Sequence, residues 1–231
     1  MRRLVVTVVI LGCLAVGADR AAAWVAEDRL ATMAADEAAQ YDVQAADTKV
    51  EIGGFGFLPQ VAKEEFSSVT LTMRQPTFST VPAEDLVVRM TGVHVPRALL
   101  TGGSGAAVTI DSTDMKVRLS PAELAKLAAR ATGVDDLTLR IVDGKLQARF
   151  SVRGIDADAT ISPKVEKGRI VLAVDELSDA VPSVLRDTVS SLLARGITLP
   201  KLPFGASLKQ VAVEGSSVVL VATADDLKFA G

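Results

Sequence analysis

Beyond Gln40 most of the chain alternates apolar with polar residues, and this period of two constrains the fold more than any other feature. In "LVVRM" Leu86, Val88 and Met90 face one way; in "MKVRL" Met115, Val117 and Leu119 oppose Lys116 and Arg118. In "KLQARFSV" Leu146, Ala148, Phe150 and Val152 oppose Gln147, Arg149 and Ser151. Successive side chains of a strand point to opposite faces, so these segments are strands with one wet face. "VDGK" at 142–145 is a strong hairpin signal, and "VRGI" at 152–155 and "EKGR" at 166–169 are weaker ones. An antiparallel meander of four strands is expected from about Leu137 to Glu176. A further hairpin is expected about Glu214 and Gly215, its last strand apolar on both faces from Val218 to Val221, as a strand covered on both sides would be.

Two helices interrupt the strands. "SPAELAKLAARATG" has Ser120 to cap, Pro121 in the first turn, Glu123 to complete a capping box and Gly133 as the stop. "VPSVLRDTVSSLLARG" places Val181, Val184, Leu185, Val189, Leu192 and Leu193 on one stripe, with Gly196 as a left-handed terminus. That stripe is expected to be buried against the sheet. No long linker divides the chain, and only "LLTGGSGAA" near Gly102 looks loose, so residues 24–231 read as one domain.

The N-terminus is of another kind. Arg2 and Arg3 precede an apolar run from Leu4 to about Ala18, the pattern of an export signal. At roughly 15 residues it is shorter than the ~20 that cross a bilayer, so residues 1–23 are expected to be a cleaved signal, with an uncleaved anchor as the alternative. Small residues offer cleavage after Ala18 or after Ala23. Cys13, the only cysteine, raises the question of lipidation, but a bulky Leu11 stands two residues before it and apolar sequence continues beyond it. From Ala21 to Gln40 a helix is expected, with Trp24, Leu30, Met33 and Ala34 spaced as one face. Glu27, Asp28, Asp36 and Glu37 argue against that helix lying on an anionic membrane surface.

"GGFGFLPQVAKEEF", residues 53–66, holds three of the seven Phe in a chain that is only 4% aromatic. Read as extended, it puts Phe55 and Phe57 on one face, both rings inward, and Gly54 and Gly56 on the other, before Pro59 starts a short apolar turn through Val61. It serves either as a core corner or as an apolar mouth.

Catalytic and cofactor chemistry finds little support. The net charge of -3, from 25 basic and 28 acidic residues well mixed, offers no basic field for a phosphate backbone, which argues against nucleic acid as a partner. His94 is the single histidine and reads as a surface or satisfied one. The pattern G-x-S-x-G does not occur, and a zinc site would need a His and Cys cluster that the chain lacks. Asp156 and Asp158 share a strand face opposite Ile155, Ala157, Ala159 and Ile161, which makes them the wet side of an amphipathic strand before a glycosidase pair. No phosphate loop or dinucleotide fingerprint indicates a cofactor. The expectation is a non-enzymatic binding protein.

Order and spacing then carry a resemblance. An export segment, a helix, "VEIGGFGFLPQVAKEEFSSVTLTM", "RLSPAELAKLA" and "ITLPKLPFGASLKQVAVEGSSVVLV" resemble the LmeA-like phospholipid-binding proteins of actinobacterial cell envelopes. The family's Phe-Leu turn and Gln-containing short helix correspond to Phe57, Leu58 and Gln60, and its Leu-Pro element to Leu202, Pro203, Phe204 and Gly205. The glycine of "FGFL" stands where proline is expected, and the phenylalanine of "LPFG" where leucine is commoner. The resemblance implies an α+β fold in which a strongly twisted antiparallel sheet wraps one or two apolar helices, related to tubular lipid-binding domains. It also implies an exported, periplasmic or outer-face protein that binds phospholipid at the membrane surface and serves envelope lipid or lipoglycan maintenance. Acyl chains would lie between the sheet and the 181–195 helix, lined by Val184, Leu185, Val189 and Leu192, with Phe55, Phe57, Leu58, Val61, Leu202 and Phe204 at the mouth. At ~0.8 kcal/mol per buried methylene, ten methylenes offset an association cost of ~4–15 kcal/mol only partly to fully, so such a slot must be deep. The alternative is a membrane-anchored interaction or scaffold domain with a solid core and no ligand.

Overall fold

The computed structural model describes residues 2–40, 42–78, 80–100, 105–152, 155–179, 181–199 and 205–230; within these the side chains of residues 2–12, 100, 135, 152, 155, 185 and 230 are not described. The fold is α+β, with antiparallel strands and a few helices. It forms two compact units, residues 1–74, 87–114 and 225–231 in the first, and 75–86 and 115–224 in the second. Neither is one continuous segment.

The first unit begins with α1 (Arg2–Gln40), followed by the short β1 (Val43–Gln44). β2 (Asp47–Gly53) and β3 (Glu65–Arg74) are antiparallel, with Val50 opposite Leu71, and the seven-residue α2 (Phe57–Lys63) connects them. In the second unit β4 (Thr77–Phe78) and β5 (Val81–Pro82) form a small ladder. β6 (Asp85–His94), α3 (Arg97–Leu100) and β7 (Ala107–Leu119) follow. The portions of strands in the first unit are ordered β13-β7-β6-β3-β2, β13 being the last strand (Ser217–Ala230). Their core joins Ile52, Phe66, Val93 and Ile110, with Ala26, Phe57, Val61, Leu227 and Phe229 packed against it.

The second unit is built on the expected meander: β8 (Asp135–Val142), β9 (Lys145–Val152), β10 (Ile155–Glu166) and β11 (Arg169–Leu177), in spatial order β11-β10-β9-β8. Its turns obey the chemistry read from sequence. Asp143 and Gly144 have φ of 50° and 73°, and Lys167 and Gly168 have 49° and 74°, the paired left-handed residues that match the twist of a two-residue hairpin. The third expected turn, at Arg153 and Gly154, lies outside the described residues. α4 (Pro121–Thr132) is capped as expected: the Ser120 hydroxyl accepts from the Glu123 amide at 3.2 Å, and Gly133 at φ 68° closes the C-terminus. It buries Leu124, Ala125 and Ala128 beside β8.

α5 (Ser183–Leu193) is shorter than its apolar stripe suggested. It buries Val189 and Leu193 beside β11, while Val184 is 81% exposed. A residue five positions from Val189 sits about 140° away around a helix, so Val184 falls outside the stripe that Val189 and Leu193 define. The final hairpin pairs β12 (Ser207–Glu214) with β13, and Val218, Val219 and Leu220 are all buried, as a strand apolar on both faces requires. The core of the second unit centres on Leu124, Leu146, Phe150, Ile161, Ile170, Leu172 and Val218.

α1 runs unbroken from Arg2 through the helix expected from Ala21 to Gln40. Trp24, Leu30 and Met33 are exposed, and the face turned inward carries Ala23 and Ala26. Small side chains allow the helix backbone to lie close to β2, whereas a Trp at that contact would hold it off. Glu27 joins the contact, its carboxylate accepting from the Ile52 amide at 2.8 Å and so satisfying a donor of the edge strand.

Candidate functional site

The glycine-rich turn is not extended. β2 ends at Gly53; Gly54 and Gly56 adopt φ of 102° and 69°, and α2 starts at Phe57. Positive φ at two alternate residues destroys the period of two, so the two rings part company. Phe57 packs against Phe66 with ring centroids 6.0 Å apart, whereas Phe55 is 95% exposed. Leu58 is half exposed and Val61 packs against the core. The expectation that both rings point inward fails for Phe55.

Gln60 holds this turn and was overlooked as more than a family marker. It is buried, its amide nitrogen donates to the carbonyls of Gly53 at 3.1 Å and Gly56 at 2.9 Å, and its oxygen accepts from the Ser67 amide at 2.8 Å. A buried primary amide in a short, otherwise amphipathic helix is the sequence signal for such a brace.

The start of α2 has no cap of its own, since Gly56 offers no side chain. Asp19 supplies one from α1: its carboxylate accepts from the amides of Phe57 at 2.9 Å and Leu58 at 2.7 Å. Those two backbone donors, more than the neighbouring Arg20, hold its carboxyl below the usual carboxylate range. A carboxyl whose folded pKa is depressed adds stability above its unfolded value, near pH 4, and that stability disappears as pH falls through the folded value. Asp19→Asn is therefore expected to be less stable than the parent at neutral pH, with the gap closing on acidification below about pH 4. Thermal melts of both proteins across that range check it; a gap independent of pH would refute the charged cap.

The remaining candidates lie in the second unit. Val189 is buried and Leu192 packs against the core, so both serve packing, while Val184 faces water. The Leu185 side chain and residues Leu202 and Phe204 lie outside the described residues. Open hollows are present among the described residues, two of them in this unit. The larger, about 440 Å³, is lined largely by polar groups of β10 and β11, including Thr160, Ser162, Asp175 and Glu176. The other, about 310 Å³, lies along Asp187, Thr188, Ser191, Leu192 and Arg195 on α5 and just beyond its end.

Asp156 and Asp158 are exposed on β10, opposite buried Ala157, Ala159 and Ile161, and Asp158 takes the Arg149 guanidinium at 2.8 Å. His94 is half-buried, its Nε2 3.5 Å from Asp111. Asp158 and Arg149 form a surface ion pair, as the alternation implied.

An α+β fold carrying a braced apolar turn does not by itself name a ligand. The particular family follows from the sequence: a family model of LmeA-like phospholipid-binding proteins matches residues 17–223, and the chain belongs to that family. No curated protein and no solved structure matches the chain.

Proposed function

We propose that this protein is an exported, non-enzymatic phospholipid-binding protein of the cell envelope, working at the outer face of the cytoplasmic membrane in lipid or lipoglycan maintenance. The observation that carries the reading is membership of a phospholipid-binding family over residues 17–223. In this reading acyl chains lie against the apolar floor that α5 covers, formed by Ile170 and Leu172 of β11. The character of α5 supports that location. Pro182 gives its N-terminus no side-chain cap, and among its described side chains only Val189 and Leu193 are deeply buried, so a short helix stands between solvent and the floor. Exchanging that helix face for acyl chains keeps apolar surface covered throughout.

A second reading, a solid interaction domain without ligand, is favoured by the dry packing of the same region, where Leu124, Ile170, Leu172 and Val218 have no exposed surface. Native mass spectrometry of the purified chain, incubated with vesicles of one phospholipid and then separated from them, decides between the two. A species heavier by one phospholipid is expected; protein that stays lipid-free after purification and after incubation supports the solid domain and sinks the first reading.

A further inference from the structure

The inward side of α1 changes character at Asp19. From there onward it is covered, with Ala23 only 3% exposed and Asp19 and Glu27 bonded to α2 and β2. One turn earlier, on the same side of the helix, Val16 is 64% exposed. The last element against the helix is thus the turn entering α2, where Phe55 and Leu58 stand in water. Gln60 fixes that turn by three hydrogen bonds, so the exposed ring belongs to a braced structure. On the far side of Asp19 the sequence is apolar from Leu4 to Ala18, about 22 Å of helix at 1.5 Å per residue. The most apolar run of the sequence and the most exposed ring among the described residues therefore meet at one boundary.

We propose that this boundary is a membrane-docking edge: Phe55 and Leu58 insert into the headgroup and upper acyl region of a phospholipid bilayer where α1 enters it. The partner is a bilayer because the bonds from Asp19 to the amides of Phe57 and Leu58 set this turn directly after an apolar run that ends at Ala18, with Val16 exposed one turn before it. No helix among the described residues is long and apolar enough to cross a membrane, but as the uncleaved anchor of the alternative reading a run of this length enters one, and apolar side chains at its exit lie at the interface. Arg20, exposed beside Asp19, fits the headgroup level, and Trp24 lies about 6 Å further along the axis. The acidic Glu27 and Asp28 give the edge no cationic character, so insertion depends on apolar burial and changes little with salt or with anionic lipid. This deepens the phospholipid reading by naming how the protein meets the lipid surface.

The chain has one tryptophan, which makes a direct test practical. In the full chain carrying Trp24→Phe with Phe55→Trp, reconstituted with phosphatidylcholine vesicles, the emission of the indole at position 55 is expected to move to shorter wavelength. Chains brominated near the carbonyl should quench it more strongly than chains brominated near the methyl end. Leu58→Trp in the Trp24→Phe background repeats the measurement should the first variant fail to fold. Water-like, unquenched emission from a folded reporter at either position, in protein that floats with the vesicles, overturns the proposal, as does protein that does not associate with them. Lipid extraction reads a different property: a chain that docks by this assay yet extracts no phospholipid leaves the edge standing and removes the lipid-carrying reading alone.

Discussion

Phe150→Ala is expected to destabilise the protein by about 3–5 kcal/mol, whereas Phe55→Ala changes stability by no more than about 0.5 kcal/mol. The two residues are chemically identical and differ only in surroundings. Phe150, on β9, is 2% exposed and packs in the core of the second unit with Leu146, Ile161 and Leu172. Truncation there removes the transfer energy of a ring and leaves a cavity that a meander held by three ladders collapses into only partly. Phe55 is 95% exposed, so folding gains almost nothing from its ring. Urea unfolding of both variants reads the difference. A comparable loss from Phe55→Ala would mean that its ring is buried in the folded protein, and the docking edge would lose its principal residue.

Gln60→Leu is expected to cost about 2–4 kcal/mol despite replacing a polar side chain by an apolar one in a buried position. The leucine fits the space approximately but takes from the Ser67 amide and the carbonyls of Gly53 and Gly56 the partner that Gln60 gives them. A group left unpaired away from water costs about 1–3 kcal/mol, and the three part-buried bonds are coupled through one turn, so the costs do not simply add. Chemical denaturation gives the magnitude. Hydrogen exchange gives the location: the amides of residues 54–67 should lose protection before the rest of the first unit. A variant as stable as the parent would show that backbone geometry alone holds the turn. Gln60→Glu keeps the shape and the acceptor for Ser67 while losing both donors at neutral pH, so it separates the role of the donors from that of volume.

Legibility followed the range of the interaction. The meander was legible because alternation and two-residue turns are local: "VDGK" supplies Asp143 and Gly144 in the left-handed conformation its hairpin requires. The capping of α4 was legible for the same reason, Ser120 and Glu123 lying within one turn. At the candidate site the same reasoning gave a mixed result. The turn at 53–66 was singled out by its phenylalanines and glycines, yet alternation sent Phe55 inward, because nothing local reveals that Gly54 and Gly56 would take positive φ and turn the chain out of extension. Asp19 was passed over within an apparent export segment, since its partners, the amides of Phe57 and Leu58, are thirty-eight and thirty-nine residues away. Likewise the spacing of Trp24, Leu30 and Met33 along α1 marks one face, whereas the face that packs carries Ala23 and Ala26.

The sequence by itself determined the strands, their hairpins, the capped α4 and the family, because each rests on neighbouring residues or on their order along the chain. Only the tertiary structure decided that Phe57 is core and Phe55 surface, that Gln60 braces their turn, and that Asp19 caps α2. Those outcomes depend on which backbone donors and acceptors are left unpaired once distant segments pack, and a buried donor takes the nearest acceptor in space whatever its distance in sequence.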